Sequence, residues 1–519
     1  MAASTDGRDA WSRRRFLATL GTGAVLALAP RGGGTLAAST GAQYPFALGV
    51  ASGEPSADGF VIWTRIVAAG VPASERPLHG FAVDWEVAED EHFARIVRRG
   101  RTFADPAWAH AVHVDVDGLR ADRMHWYRFT CAGVASPIGR SRTLPAAGAR
   151  VARLRLAVAS CQHYEHGWFS AYRHMLADDL DLIVHVGDYI YEGSWGMRLR
   201  AHESPRGAVT LDDYRDRHAC YKQDEDLKVA HAAHPWLFTW DDHEVSNDYT
   251  GESLRDSDPQ AFAARRAAAY RAWFEHMPVR AWRRPRGGAL PIAGHTVFGD
   301  LVSLHTLDAR QHRAAHACAS HGEMIEATCA QRRAPAQSML GAAQQRWLFD
   351  GLAASTARWN VIAQPTLLAP LARVGDDAVR RVWADGWDGY AGARDALLGF
   401  VDEAAIGNVV VLGGDMHAHY VADLHRDADD ERSPLVATEF VGTSITSQGA
   451  DQATLERDLP HNPHIRLVDG RRRGYLRCEI TPQRWTTDLR VIDDAADRHS
   501  GAATLASFHV EDGRAGAVR

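Results

Sequence analysis

Cysteine is scarce in this chain, six residues in 519. That density excludes a small scaffold stapled by disulfides. Basic residues are not in surplus: 58 Lys and Arg stand against 65 Asp and Glu, for a formal net charge of −7. No basic tail is present, so nothing marks a nucleic-acid-binding domain. Long apolar runs are missing as well. The apolar stretch at residues 18–29 is too short for a membrane span, and no other segment is long and apolar enough. The chain has no G-x-S-x-G turn and so no strained serine elbow. It has no internal repeat at a fixed period.

What remains is ordinary globular composition, 24% charged and 46% hydrophobic. The length fits two to four domains, or one large α/β domain with a small companion. Residues 1–39 read as a targeting segment. Ser12-Arg13-Arg14-Arg15-Phe16-Leu17 sets paired arginines before Phe-Leu, and small residues then run to Ser39. This is the layout of a twin-arginine signal, so the twin-arginine export machinery is an expected partner. The mature chain is expected in the periplasm, the cell envelope or the medium. That route carries folded proteins, so a cofactor can be loaded before export.

Residues 45–145 read as a small β-sandwich of immunoglobulin or fibronectin type. Gly59 to Arg65, Phe81 to Val87, Ala111 to Val116 and His125 to Phe129 are short strands, several alternating with period two. PAAGAR at 145–150 is a linker. From 152 to 492 strands alternate with helices, the pattern of an α/β domain. Apolar runs at Leu154 to Ala159, Leu182 to Val186, Trp236 to Trp240 and Val409 to Leu412 predict buried strands. Residues 493–519 are left as a C-terminal tail.

Polar clusters follow four of those strands, where α/β folds place their sites. Cys161 follows the first. Gly187-Asp188-Tyr189-Ile190-Tyr191-Glu192 follows the second. Asp241-Asp242-His243-Glu244-Val245-Ser246-Asn247-Asp248 follows the third, and Gly413-Gly414-Asp415-Met416-His417-Ala418-His419 the fourth. Singly each has a bland reading: a helix cap for Asp188, a solvated turn for the Asp-Asp-His-Glu run, a small buried apolar group for Cys161. Together they bring carboxylate, phenol, imidazole and thiol to one end of a sheet. Carboxylate and phenolate suit hard cations, and thiolate suits iron or zinc. Such a set builds a multi-metal hydrolytic site.

These motifs resemble the PhoD-like alkaline phosphatases, a branch of the metallophosphatases. The resemblance runs from Phe46 onward. It includes Leu48-Gly49-Val50-Ala51-Ser52-Gly53-Glu54-Pro55, Ser160-Cys161-Gln162, the Asp188 and Asp242 runs, Leu307-Asp308-Ala309-Arg310-Gln311 and Gly414-Asp415-Met416-His417. It implies a metallophosphatase-type α/β sandwich, with helices flanking the sheets. It further implies an exported phosphatase that cleaves phosphate mono- and diesters through a metal-activated hydroxide. The cofactors implied are Fe3+ and Ca2+, ahead of zinc or manganese. Carried over by position, Cys161 and Tyr191 bind iron and Asp188 bridges iron and calcium. Asn247 and Asp415 bind calcium, with Asp242 and His417 as ligands or beside them. The choice between Asp241 and Asp242, and the roles of His243 and His419, stay open. Asp188, Asp242, His243, Arg310 and His417 form the catalytic set, with Arg310, Arg266 or Arg271 as the phosphate-holding arginine. Rival readings on the same scaffold are a phospholipase-type phosphodiesterase, a phosphotriesterase and a non-catalytic exported binding protein. Cys318 and Cys329 bracket a short polar loop and are expected to form a disulfide. Cys131, Cys220 and Cys478 read as buried thiols.

Overall fold

The computed structural model describes residues 45–66, 77–196, 199–319, 323–430 and 432–519. The targeting segment therefore lies outside the described residues. Pro45–Arg519 forms one compact unit. Two large mixed sheets dominate it. A nine-stranded sheet runs in spatial order Ala502–Glu511, Arg484–Ile492, Gly474–Ile480, Leu154–Ala159, Leu182–Val186, Pro235–Thr239, Val50–Gly53, Phe60–Arg65 and Ala111–Val116. A seven-stranded sheet runs Gly294–Phe298, Val302–Thr306, Trp359–Ala363, Val409–Gly413, Leu435–Val441, His419–His425 and Ile465–Asp469.

The central strands explain this layering. LIVHV, WNVIA and VVVLG are apolar but for His185 and Asn360, and buried along their whole length. Such strands need cover on both faces. One core joins the two sheets, with Leu156, Val158 and Val184 against Leu304, Val361 and Val410. On the outer face of the first sheet, Ile183 and Trp236 pack under Tyr214, Tyr270 and Trp273 of the helices Leu211–Lys222 and Pro259–His276. On the outer face of the second, Ile362 and Val411 pack under Leu348 and Leu397 of Gly341–Ala353 and Ala391–Glu403.

Two sheet pairings bear on the expected domains. The N-terminal strands do form a small layer, Phe81–Ala88 and its neighbours, whose Val83 and Phe129 pack over Phe60 and Ile62. Its second layer is not a separate sheet, however. Val50–Gly53 pairs in parallel with Pro235–Thr239, so the N-terminal segment extends the large sheet. Residues 493–519 are not a loose tail either. Ala502–Glu511 pairs along Arg484–Ile492 and turns Ala506, Phe508 and Val510 into the core. The alternation of these apolar residues gives a half-buried edge strand.

Candidate metal centre

The parallel strands end in register. Ala159 lies beside His185, Val186 beside Thr239, and Leu412 beside Ala363. Their C-terminal ends therefore open on one edge of both sheets. Thr239 Oγ1 donates to the Leu307 carbonyl across the gap between them, at 2.5 Å. Two glycines permit the close approach. A Cβ on Gly187, whose φ is +119°, would lie 2.6 Å from the Asp241 Cβ. One on Gly414 would lie 2.6 Å from the Ser160 hydroxyl.

Beyond the strand ends the backbone turns sharply. Cys161, Asp188, Asp415 and His417 all have φ between +52° and +64°. Non-glycine residues adopt this left-handed region at a cost, and it concentrates at functional sites. The turn aims the side chains together. Potential ligand atoms of Cys161, Asp188 and His417 lie within 4.8 Å of one another, as do those of Asp188, Asp241 and Asp415. Asp188, Asp242 and His243 form a third such group.

Hydrogen bonding separates these residues. Asp188 Oδ1, Asp241 Oδ2 and Asp415 Oδ2 are buried without a hydrogen-bond partner. Asp242 is committed to the backbone: its Oδ1 accepts the His243 N–H at 3.0 Å and its Oδ2 the Asp248 N–H at 2.6 Å. Asp241 keeps an oxygen with no partner, while each Asp242 oxygen already accepts one backbone N–H; both belong to groups that could hold a cation. The Tyr191 phenol donates to Asp188 Oδ2 at 2.8 Å, accepts from Ser447 Oγ at 2.7 Å and lies 3.1 Å from His417 Nε2. Its ring sits 4.4 Å from His163 and 4.2 Å from His243.

The remaining expected residues sort as follows. His417 Nδ1 is tied to the Gln448 carbonyl at 2.6 Å. His419 is buried away from the cluster, between the Thr443 N–H and the Arg490 carbonyl. Asn247 is exposed at the rim, and its backbone N–H donates to Glu192 Oε1 at 2.8 Å. Arg310 is not open to a substrate. It is fully buried, with Nε on Asp241 and Nη1 on Asp385 at 2.7 Å. Its role in the fold is to hold Asp241. Arg266 is spent on the Gly251 carbonyl and Arg271 on Glu275, so neither replaces it at the cluster. Cys318 and Cys329 are disulfide-bonded, and Cys131, Cys220 and Cys478 are buried free thiols.

Three contributors escaped the candidate list. Glu244 accepts the N–H groups of Asp188, Tyr189 and Asp241 at 3.1, 2.7 and 3.0 Å, bracing two loops at once. Glu192 Oε2 pairs with His243 Nδ1 at 2.7 Å. Both lie inside the motif runs and were passed over for their neighbours. Ser447 lies in Thr443-Ser444-Ile445-Thr446-Ser447, a fifth polar run after a buried strand, which the same strand-end rule finds.

Charge in the cluster is frustrated. Burial, then the neighbouring carboxylates, push Asp188 well above the usual range; burial does the same to Asp415. Asp241 rises to about 7, chiefly through burial against the opposing pull of Arg310. Burial also raises the Cys161 thiol and the Tyr191 phenol. Burial disfavours the charged form of His243, but Glu192, Asp242 and Asp188 outweigh it and hold the imidazole well above its ordinary pKa. Carboxylates this close cannot all ionise without a cation. The donor set and its unpartnered oxygens fit one.

Comparison with known proteins identifies the family. A family model described as "PhoD-like phosphatase" matches residues 156–489, and one described as "PhoD-like phosphatase, N-terminal domain" matches residues 33–145. The chain belongs to the PhoD-like phosphatase family. With that membership it is a phosphoric ester hydrolase. "Alkaline phosphatase D" of Bacillus subtilis (strain 168) is 42% identical over 520 residues, spanning 96% of this chain and 88% of that protein. A solved structure, "Structure of PhoD", superposes with a TM-score of 0.87 at 42% identity, covering 92% of each chain. Among the described residues of this PhoD-like chain, no helix is long and apolar enough to cross a membrane.

Proposed function

We propose that this PhoD-like chain is an exported alkaline phosphatase acting on phosphate mono- and diesters at an Fe3+ and Ca2+ centre. The observation that carries the metal reading is the trio of buried carboxylate oxygens without partners, on Asp188, Asp241 and Asp415. Cys161, Tyr191 and Asp188 would hold the iron. Asp188, Asp415 and Asn247 would hold calcium, with Asp241 beside them and Asp242 fixing the turn. Bound there, the cations supply polarisation of the phosphate, a lower pKa for water and neutralisation of the charge that develops in the displacement. Cys161 and Tyr191 must each give up a proton on loading, which burial resists in their absence. His243, charged and held by Glu192, offers an N–H donor toward the same space. Glu244 and Arg310 keep Asp188 and Asp241 in position. The paired arginines at the start of the sequence support the export reading.

The test is a metal inventory of protein exported by its own signal, with assays on phosphate mono-, di- and triesters. Iron and calcium with monoesterase and diesterase activity are expected. Asp188→Asn is expected to lose most bound metal and most activity. A variant that keeps both removes Asp188 as the bridge. Zinc or manganese in place of iron overturns the role of Cys161. Faster turnover of phospholipid or triesters would turn the reading to those substrates.

A further inference from the structure

Trp195 is a large aromatic side chain in ring contact with the cluster. It is 47% exposed, yet its ring centroid lies 4.6 Å from His243 and 5.6 Å from Tyr191, both part of the metal-side cluster. A third ring, His163, lies at 6.1 Å. None of the three is parallel to it, the interplanar angles being 71°, 80° and 51°. The indole is therefore supported from the site side, with no stacked ring on it among the described residues.

The loop is built to hold that position. Ser194 Oγ donates to Glu165 Oε1 at 2.8 Å, and the Leu199 N–H donates to the Glu165 carbonyl at 2.9 Å. Glu165 is buried and so anchors the segment on both sides of the tryptophan. Gly196 takes φ +96°, a turn that suits only glycine.

We propose that Trp195 is a specificity-determining residue, a platform on which a flat aromatic ring carried by the organic group of the ester stacks while the phosphate enters the cluster. This rests on the phosphate-ester reading above and names its substrate class: esters with an aryl or heteroaryl group close to phosphorus. A small aliphatic alcohol has no face to offer and gains little from the indole.

The test uses the metal-loaded enzyme with phenyl phosphate and glycerol 2-phosphate, each variant compared with wild type on the same substrate so that intrinsic ester reactivity cancels. Trp195→Ala is expected to lower kcat/KM about tenfold on phenyl phosphate and less than about twofold on glycerol 2-phosphate, in line with the worth of an aromatic stack. Trp195→Phe should recover most of the loss, and Trp195→Leu, apolar but not flat, should not. The inhibition constant of inorganic phosphate, which has no ring, should stay unchanged in all three and so reports that the site is intact. Equal losses on both esters, no loss on phenyl phosphate, or full recovery by Leu overturn the role of Trp195. A wild-type enzyme that is metal-loaded and inactive on both esters overturns the phosphatase reading itself.

Discussion

Glu244 offers the sharpest test of how the site is held. Its carboxylate is 1% exposed and accepts three backbone N–H groups, from Asp188, Tyr189 and Asp241. In Glu244→Gln only one acceptor oxygen remains. The best placement puts that oxygen where Oε2 meets Asp188 and Asp241, and turns the amide NH2 onto the Tyr189 N–H. The Tyr189 N–H and the amide NH2 then face each other as two donors, together costing about 1–3 kcal/mol, and two hydrogen bonds lose their charge assistance at about 1 kcal/mol each. The sum is about 3–5 kcal/mol, large against ordinary protein stability. Urea unfolding of the loaded and the chelator-stripped protein measures it. Part of the loss should appear as weaker cation binding, because the same carboxylate fixes the backbone of both Asp188 and Asp241. A Glu244→Gln protein within about 0.5 kcal/mol of wild type, with metal content unchanged, would refute the bracing argument.

Arg310→Met leaves Asp241 and Asp385 without their shared guanidinium, so folding stability should fall by about 3–5 kcal/mol in denaturant titrations, with metal uptake reduced. Lys222 is buried, and desolvation lowers its pKa from 10.5 to about 7. The unfolded chain then binds more protons between those values, so stability rises with pH across that window; from pH 7 to 9 wild type should gain about 2 kcal/mol relative to Lys222→Met, read from paired urea curves. At Cys161, with φ +56°, the usual order of Ala over Gly should invert. Cys161→Gly should unfold at higher urea than Cys161→Ala by about 1 kcal/mol, while both lose the thiolate.

The sheets were readable because parallel strands buried on both faces must be largely apolar. The run at Leu182–Val186 begins and ends where the sequence pattern places it, and the cluster residues follow its end. Helix starts were less legible where a cap decides them. Residues Ala261 to His276 are Ala- and Arg-rich with helical spacing, but the helix begins at Pro259, where Asp258 caps it. The N-terminal strands were separated from the catalytic ones because local alternation reports a strand and not its partner, and the pairing of Val50–Gly53 with Pro235–Thr239 joins residues far apart in the chain.

Within the site, residue type was legible and commitment was not. Asp241 and Asp242 are adjacent and chemically identical. Only the turn that gives Asp242 two backbone donors leaves Asp241 with a free oxygen. Arg310 matched the chemistry of a phosphate clamp. Its two buried aspartates come from other segments; Nε and Nη1 are taken by Asp241 and Asp385, and burial keeps the whole guanidinium from solvent. The same physics applies to the left-handed quartet at Cys161, Asp188, Asp415 and His417. Local propensity argues against that backbone at every one of the four, and the turns beyond the ends of two sheets packed face to face impose it. Where the chain departs most from its local preferences is where its ligand atoms converge, so the strain marks the site that sequence pattern alone could locate only by composition.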